Sequence, residues 1–260
     1  MLKLFSALIF FYTTYSISID INIYDNEKNK VNILLAEKNK NKIQLGLEFL
    51  LDTDWKIYWK YPGDVGLGPS LQIIEGSKKH KIDIKWPYPK ELYEKEINLT
   101  SRVYYNHVIL PTEITFFDLS QSKSNKIKFL LDFQICKEIC IPVSKDFIID
   151  LQPENYINNK NIEKIKIYES RVPKDIKFSQ SLKGNIITIK PKTVIIELYK
   201  ENKKKLLNNE KDNFIFLKNN SLGTTRFSKV EEDEKKIYFF LKDINYDNNL
   251  ASKSEAFIKI

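Results

Sequence analysis

A chain of 260 residues with 42% hydrophobic side chains is long enough for one large domain or two ordinary ones, and it can bury a real core, which excludes disorder as its default state. Aromatic residues make up 13%, a share that suits pleated surfaces, where flat and branched side chains pack well. The formal net charge of +8 rests on lysines scattered among acids, as at Lys38–Lys42 and Lys203–Lys205, with only three arginines; this argues against nucleic-acid binding, which favours Arg and stacked aromatics on one face.

The first residues read as a secretory signal over 1–18. Lys3 supplies the positive start, Leu4 to Tyr12 is an apolar run broken only by Ser6, and the small residues Thr14, Ser16 and Ser18 follow. Such a run, about nine apolar residues, falls short of the roughly twenty that a membrane helix needs. The expectation is export to the periplasm, where a disulfide can persist.

Strand-like alternation follows. Ile43, Leu45, Leu47, Phe49 and Leu51 share one face; so do Trp55, Ile57 and Trp59, then Ile82, Ile84 and Trp86. The clearest case places Ile127, Phe129, Leu131, Phe133 and Ile135 on one side, with a returning strand over Asp146–Leu151. From Pro153 to Arg171 the apolar spacing becomes helical and polar residues dominate, which predicts a short helical linker stopped before Pro173. Alternation resumes at Ile187–Ile189, Val194–Leu198, Phe214–Leu217, Ile237–Leu241 and Ala256–Ile260. The expected architecture is therefore mainly β: a sandwich over 19–152, a helical linker over 153–171, and a second, smaller β-sandwich-like domain over 172–260.

Cys136 and Cys140 are the only cysteines. Residues four apart lie about 13 Å apart in a continuous strand, and on a helix their Cβ atoms stay about 5–6 Å apart. A disulfide needs about 3.8 Å, so these sulfurs can bond only if the chain reverses between them. A turn at Lys137–Ile139 would do this, although no Gly or Asn is present for a left-handed position, which predicts an irregular loop. If Phe133 and Ile135 point inward, Cys136 points outward and is available for exchange. A short ring of this kind stabilises by only about 2 kcal/mol, less than a staple between distant segments. A structural hairpin disulfide remains an alternative. So does a metal site, although His80 and His107 lack ligand spacing to each other or to Cys136; nothing orients a Cys–His nucleophile.

Four blocks carry a resemblance. Trp55-Lys56-Ile57-Tyr58-Trp59-Lys60-Tyr61-Pro62-Gly63-Asp64-Val65-Gly66-Leu67 resembles a "YW-x-x-PGD-x-G" signature, and Trp86-Pro87-Tyr88-Pro89 a "WP-x-P" block. Tyr104 to Pro111 is similar to a "Y-x-x-x-x-LLP" strand, with Ile109 in place of the first Leu, and Cys136 to Pro142 resembles a "C-x-x-x-C-x-P" redox motif. In this order they resemble the periplasmic N-terminal domain of the DsbD/ScsB membrane disulfide reductases, over roughly residues 20–170.

The resemblance implies an immunoglobulin-like domain in which Cys136 and Cys140 form a redox pair, with Cys140 the sulfur that partners attack. It also implies the partners, a membrane-embedded thiol–disulfide conductor and periplasmic thioredoxin-like proteins, with no metal or organic cofactor. The 260 residues contain no multi-helix membrane segment and no C-terminal thioredoxin-like domain, so a separate conductor is expected. By their own chemistry, Pro62-Gly63-Asp64 form a turn and Trp55 and Trp59 suit a core. Tyr58, of opposite parity, would face the cysteine hairpin and shield it; Asp64 and Tyr105 are further candidates for the surround. Glu138 would disfavour a nearby thiolate and Lys137 would favour it.

Overall fold

Period-2 alternation in the first half becomes alternating burial, because each strand lays one face on a shared core. The computed structural model describes residues 20–39, 41–118, 125–152, 155–176, 184–190, 193–199, 214–217, 226–232, 236–242 and 256–259; the signal expected over 1–18 lies outside them. In chain order the first elements are β1 (Asp20–Asp25), β2 (Lys30–Asn39), β3 (Lys42–Leu50), β4 (Lys56–Gly63), β5 (Ser70–Glu75) and β6 (Lys79–Ile84). Then come β7 (Lys90–Glu94), β8 (Leu99–Tyr105), β9 (His107–Asp118), β10 (Lys126–Cys136), β11 (Cys140–Asp150), β12 (Tyr156–Ile157) and helix α1 (Asn159–Glu169).

Two antiparallel sheets form an immunoglobulin-like β-sandwich. One runs β1-β2-β3-β9-β6 with β12 added to β2; the other runs β11-β10-β4-β8-β7 with β5 beside β10. Ile43, Leu45, Leu47 and Phe49 of β3 are fully buried, as are Ile127, Phe129, Leu131 and Ile135 of β10. Phe49 and Phe133 meet edge to face across the core at 5.5 Å. Each such side chain contributes about 1.5–3 kcal/mol by leaving water, which holds both sheets in a single register. β11 is longer than the strand expected over Asp146–Leu151, because its first half pairs with β10 although it faces solvent.

One side of β10 is shared between two partners. Cys136 pairs with Lys56 of β4, whereas Asp132 to Lys128 pair with Ser70 to Glu75 of β5. Between those contacts residues 57–69 bow away from β10, pairing with β8 at Ile57, Tyr58 and Gly63.

The helix docks on the first sheet. Asn158 caps it by accepting from the Asn161 amide at 3.2 Å. The buried Asn161 side chain donates to the Leu35 carbonyl at 3.0 Å and to the Asp20 carboxylate at 2.7 Å. Ile165 is buried over Gly46, where an added Cβ would come within 3.0 Å of Ile165 and 2.7 Å of Ile109. The glycine therefore sets how closely helix and sheet approach.

Beyond the helix lie β13 (Lys174–Ile176), β14 (Gly184–Lys190), β15 (Thr193–Tyr199), β16 (Phe214–Leu217), β17 (Arg226–Glu232), β18 (Lys236–Lys242) and β19 (Ala256–Lys259). They pair as a three-stranded sheet, β13-β19-β16, and a four-stranded sheet, β14-β15-β18-β17. The strand β17 carries no clean alternation because its register against β18 shifts between Phe227 and Lys229, and such a bulge breaks the period of two.

Candidate functional site

The site is the neck of the β10–β11 hairpin. Cys136 ends one strand and Cys140 begins the next as its direct partner, with Cα atoms 4.1 Å apart and the sulfurs bonded. Lys137 N–H donates to the Ile139 carbonyl at 3.3 Å, which closes the turn. None of Lys137, Glu138 and Ile139 has a positive φ, so the reversal needs no left-handed residue.

The outward parity of Cys136 does not make it accessible. Its residue exposure is 1%, whereas Cys140 is exposed. The reason is a second, small apolar cluster on the outer face of the sheet, where Tyr58, Val103 and Cys136 pack together with Leu92 and Tyr105 against them. The disulfide therefore joins one exposed residue to one covered residue. Cys140, Cys136, Lys56 and Tyr105 are successive direct partners across four strands, so they form one row on that face.

Tyr58 covers the bond. Its hydroxyl lies 3.9 Å from Cys140 Sγ, and burial, with the Glu94 charge adding to it, pushes its pKa up. Tyr105 shifts the same way, through burial first and then Glu94, Tyr58 and Asp54. Both phenols stay protonated at neutral pH, so the Tyr58 hydroxyl is a donor within reach of the Cys140 sulfur. Behind Tyr58 sits Gly66, with φ +96°, where a Cβ would overlap the tyrosine ring.

Asp64 secures the loop that carries Gly66. Its amide donates to the Thr100 carbonyl at 3.0 Å and its carboxylate accepts from the Thr100 amide at 2.8 Å. Asp64 thus holds the cover in place through β8. Lys137 is exposed and its ammonium lies 3.6 Å from the Asp54 carboxylate, while Glu138 is exposed in the turn.

The sequence singled out Tyr58, Asp64, Tyr105, Lys137 and Glu138 around the cysteines. It gave no role to Lys56, Glu94, Leu92 or Val103. Lys56 Nζ donates to the Lys137 carbonyl at 3.4 Å and lies 3.7 Å from the Glu94 carboxylate. No short-range pattern marks these residues, because they reach the hairpin only through the pairing of β4, β7 and β8. His107 is engaged elsewhere, with Nε2 3.1 Å from the Glu48 carboxylate and Nδ1 3.2 Å from the Tyr168 hydroxyl. His80 lies on β6, paired with Phe116 of β9.

The family described as "Thiol:disulfide interchange protein DsbD, N-terminal" matches residues 25–152. Comparison with curated proteins finds no match. Among solved structures, the N-terminal periplasmic domain of ScsB from Proteus mirabilis is similar, with TM-score 0.63 and 16% identity over 91% of this chain and 89% of that one. At that identity the likeness concerns the fold, and it extends well beyond residue 152. The reduced DsbD N-terminal domain of Neisseria meningitidis aligns with TM-score 0.26 and 13% identity over 45% of this chain and 83% of that one. The yeast GGA1 GAE domain aligns with TM-score 0.28 and 10% identity over 50% and 97%. Among the described residues no helix is long and apolar enough to cross a membrane.

Proposed function

Residues 25–152 are a DsbD N-terminal domain of the thiol:disulfide interchange family, and from that premise we propose that the chain relays reducing equivalents in the periplasm. The donor is a membrane-embedded thiol–disulfide conductor, and the acceptors are thioredoxin-like proteins. The exchange is assigned to residues 19–152, with 153–171 joining them to a second β module over 172–260.

A thiolate of the donor dithiol attacks Cys140 Sγ, and the Cys136–Cys140 bond breaks with its electron pair left on Cys136. The donor's second thiolate then attacks its own sulfur in the mixed disulfide and frees Cys140. The donor becomes a disulfide, this chain becomes a dithiol, and two electrons and two protons have moved. The reverse sequence reduces the acceptor.

The observation that carries this reading is the unequal exposure of the two bonded cysteines, 1% for Cys136 against an exposed Cys140 at the start of an edge strand. An entering thiol needs access to one sulfur only. Cys136→Ala, which leaves Cys140, is expected to trap a mixed disulfide with a thioredoxin-like protein, and Cys140→Ala to trap far less. Failure of both variants to trap any partner overturns the relay. A reduction potential below about −300 mV would instead mark a structural staple.

A further inference from the structure

The leaving sulfur of that exchange is the covered one. When the bond opens, a full negative charge appears on Cys136 in a place almost closed to water, and burial strongly disfavours a thiolate unless something compensates it. Tyr58 points its hydroxyl toward the other sulfur. The charged groups around the hairpin are Lys56 on β4, Glu94 on β7, Asp54 in the turn before β4, and Lys137 and Glu138 in the hairpin turn. Lys137 is drawn outward to Asp54.

Lys56 differs from the others. It is the direct cross-strand partner of Cys136, and such partners project to the same face with Cβ atoms about 4.5–5.5 Å apart. Its side chain is 12% exposed. Its Nζ is held at 3.4 Å from the carbonyl of Lys137, the residue after Cys136 and part of the ring closed by the disulfide. On its other side Glu94 lies 3.7 Å away. The ammonium is therefore held between the backbone that follows Cys136 and the carboxylate of Glu94.

We propose, on the basis of the relay reading, that Lys56 is the positioning residue that makes Cys136 a competent leaving group. Its charge offsets Glu94 and favours the thiolate on Cys136 as the bond to Cys140 opens. Lys56 does not react and takes no proton in the step. The electron pair goes to Cys136 and the entering sulfur comes from the partner dithiol. Leaving-group basicity governs the rate of thiol–disulfide exchange, so the effect is kinetic and independent of which partner attacks.

The test uses the full chain with dithiothreitol as the attacking dithiol, together with the pH titration of thiolate absorbance in the reduced protein. Lys56→Met is expected to slow reduction roughly three- to tenfold and to move the Cys136 thiolate titration to higher pH, with Lys56→Arg restoring both. Glu94→Gln is expected to shift the titration the opposite way, and combining it with Lys56→Met to recover much of the lost rate. Glu94→Gln keeps the inference falsifiable should Lys56→Met fold poorly. Unchanged titrations in Lys56→Met and Glu94→Gln overturn the inference, as does Lys56→Arg behaving like Lys56→Met. Because dithiothreitol replaces the protein partner, this outcome is independent of partner trapping, which tests the relay itself.

Discussion

Gly66 faces the ring of Tyr58 with no room for a side chain between them, and it does so at φ +96°. The contact joins the loop after β4 to the residue whose hydroxyl reaches Cys140 at 3.9 Å. Gly66→Ala is expected to displace Tyr58 and to cost about 1–3 kcal/mol, from a strained backbone and the clash together. Reduction of the disulfide by dithiothreitol should accelerate several-fold, as followed by stopped-flow fluorescence. An unchanged rate in a folded variant would show that Tyr58 does not limit access.

Ile139 is 79% exposed beside Cys140. A large apolar side chain so placed gains from burial against a partner but contributes little to folding. Ile139→Ser is expected to leave thermal stability within about 0.5 kcal/mol and the reaction with dithiothreitol unaltered, while slowing exchange with a thioredoxin-like protein several-fold. Equal effects on the small thiol and the protein would remove Ile139 from the docking surface.

Opening the disulfide should not unfold the domain. The ring is short, so its chain-entropy contribution is about 2 kcal/mol, and β10 is fixed by Phe129, Leu131 and Ile135 in the core. Urea unfolding of the oxidised and reduced forms is expected to give similar slopes and free energies about 2 kcal/mol apart. A reduced form that loses cooperativity would mean that the bond is structural.

Glu48 ties the helix to the sandwich. Its side chain is 7% exposed and is held by His107 at 3.1 Å, Asn32 at 2.9 Å and Lys164 at 3.9 Å. The His107 hydrogen bond lowers its pKa most, with Asn32, Lys164 and the His107 charge helping against burial. A carboxylate with a lowered folded-state pKa adds stability above its unfolded pKa and loses it as pH falls through the folded value. Acid unfolding should therefore include a component below about pH 4.3 that Glu48→Gln removes. The same change should cost about 1–3 kcal/mol at neutral pH. A pH-stability profile identical to that of the parent protein would contradict this.

The core was legible because its strands keep strict alternation: Ile127 to Ile135 and Ile43 to Phe49 lie where period two puts them. The hairpin was legible from spacing, since residues four apart can bond only across a reversal. The burial of Cys136 was not, because parity gives the face of a sheet and not what covers that face. The cover comes from Tyr58, Val103 and Leu92, brought together by β4, β8 and β7, whose pairing no local pattern encodes. Lys56 and Glu94 were hidden for the same reason.

The hand-over of β10 from β4 to β5 has an evolutionary corollary. Lys56 and Ser70 pair with Cys136 and Asp132 of β10 at the two ends of the excursion, so the sheet is anchored on both sides of it. Loop closure cost rises only slowly with length. The exposed positions of that segment, Val65 and Leu67, can be rewritten across descendants to suit a new clientele without re-engineering the framework that holds the two sulfurs together, whereas Ile57 and Trp59 stay bound to the core.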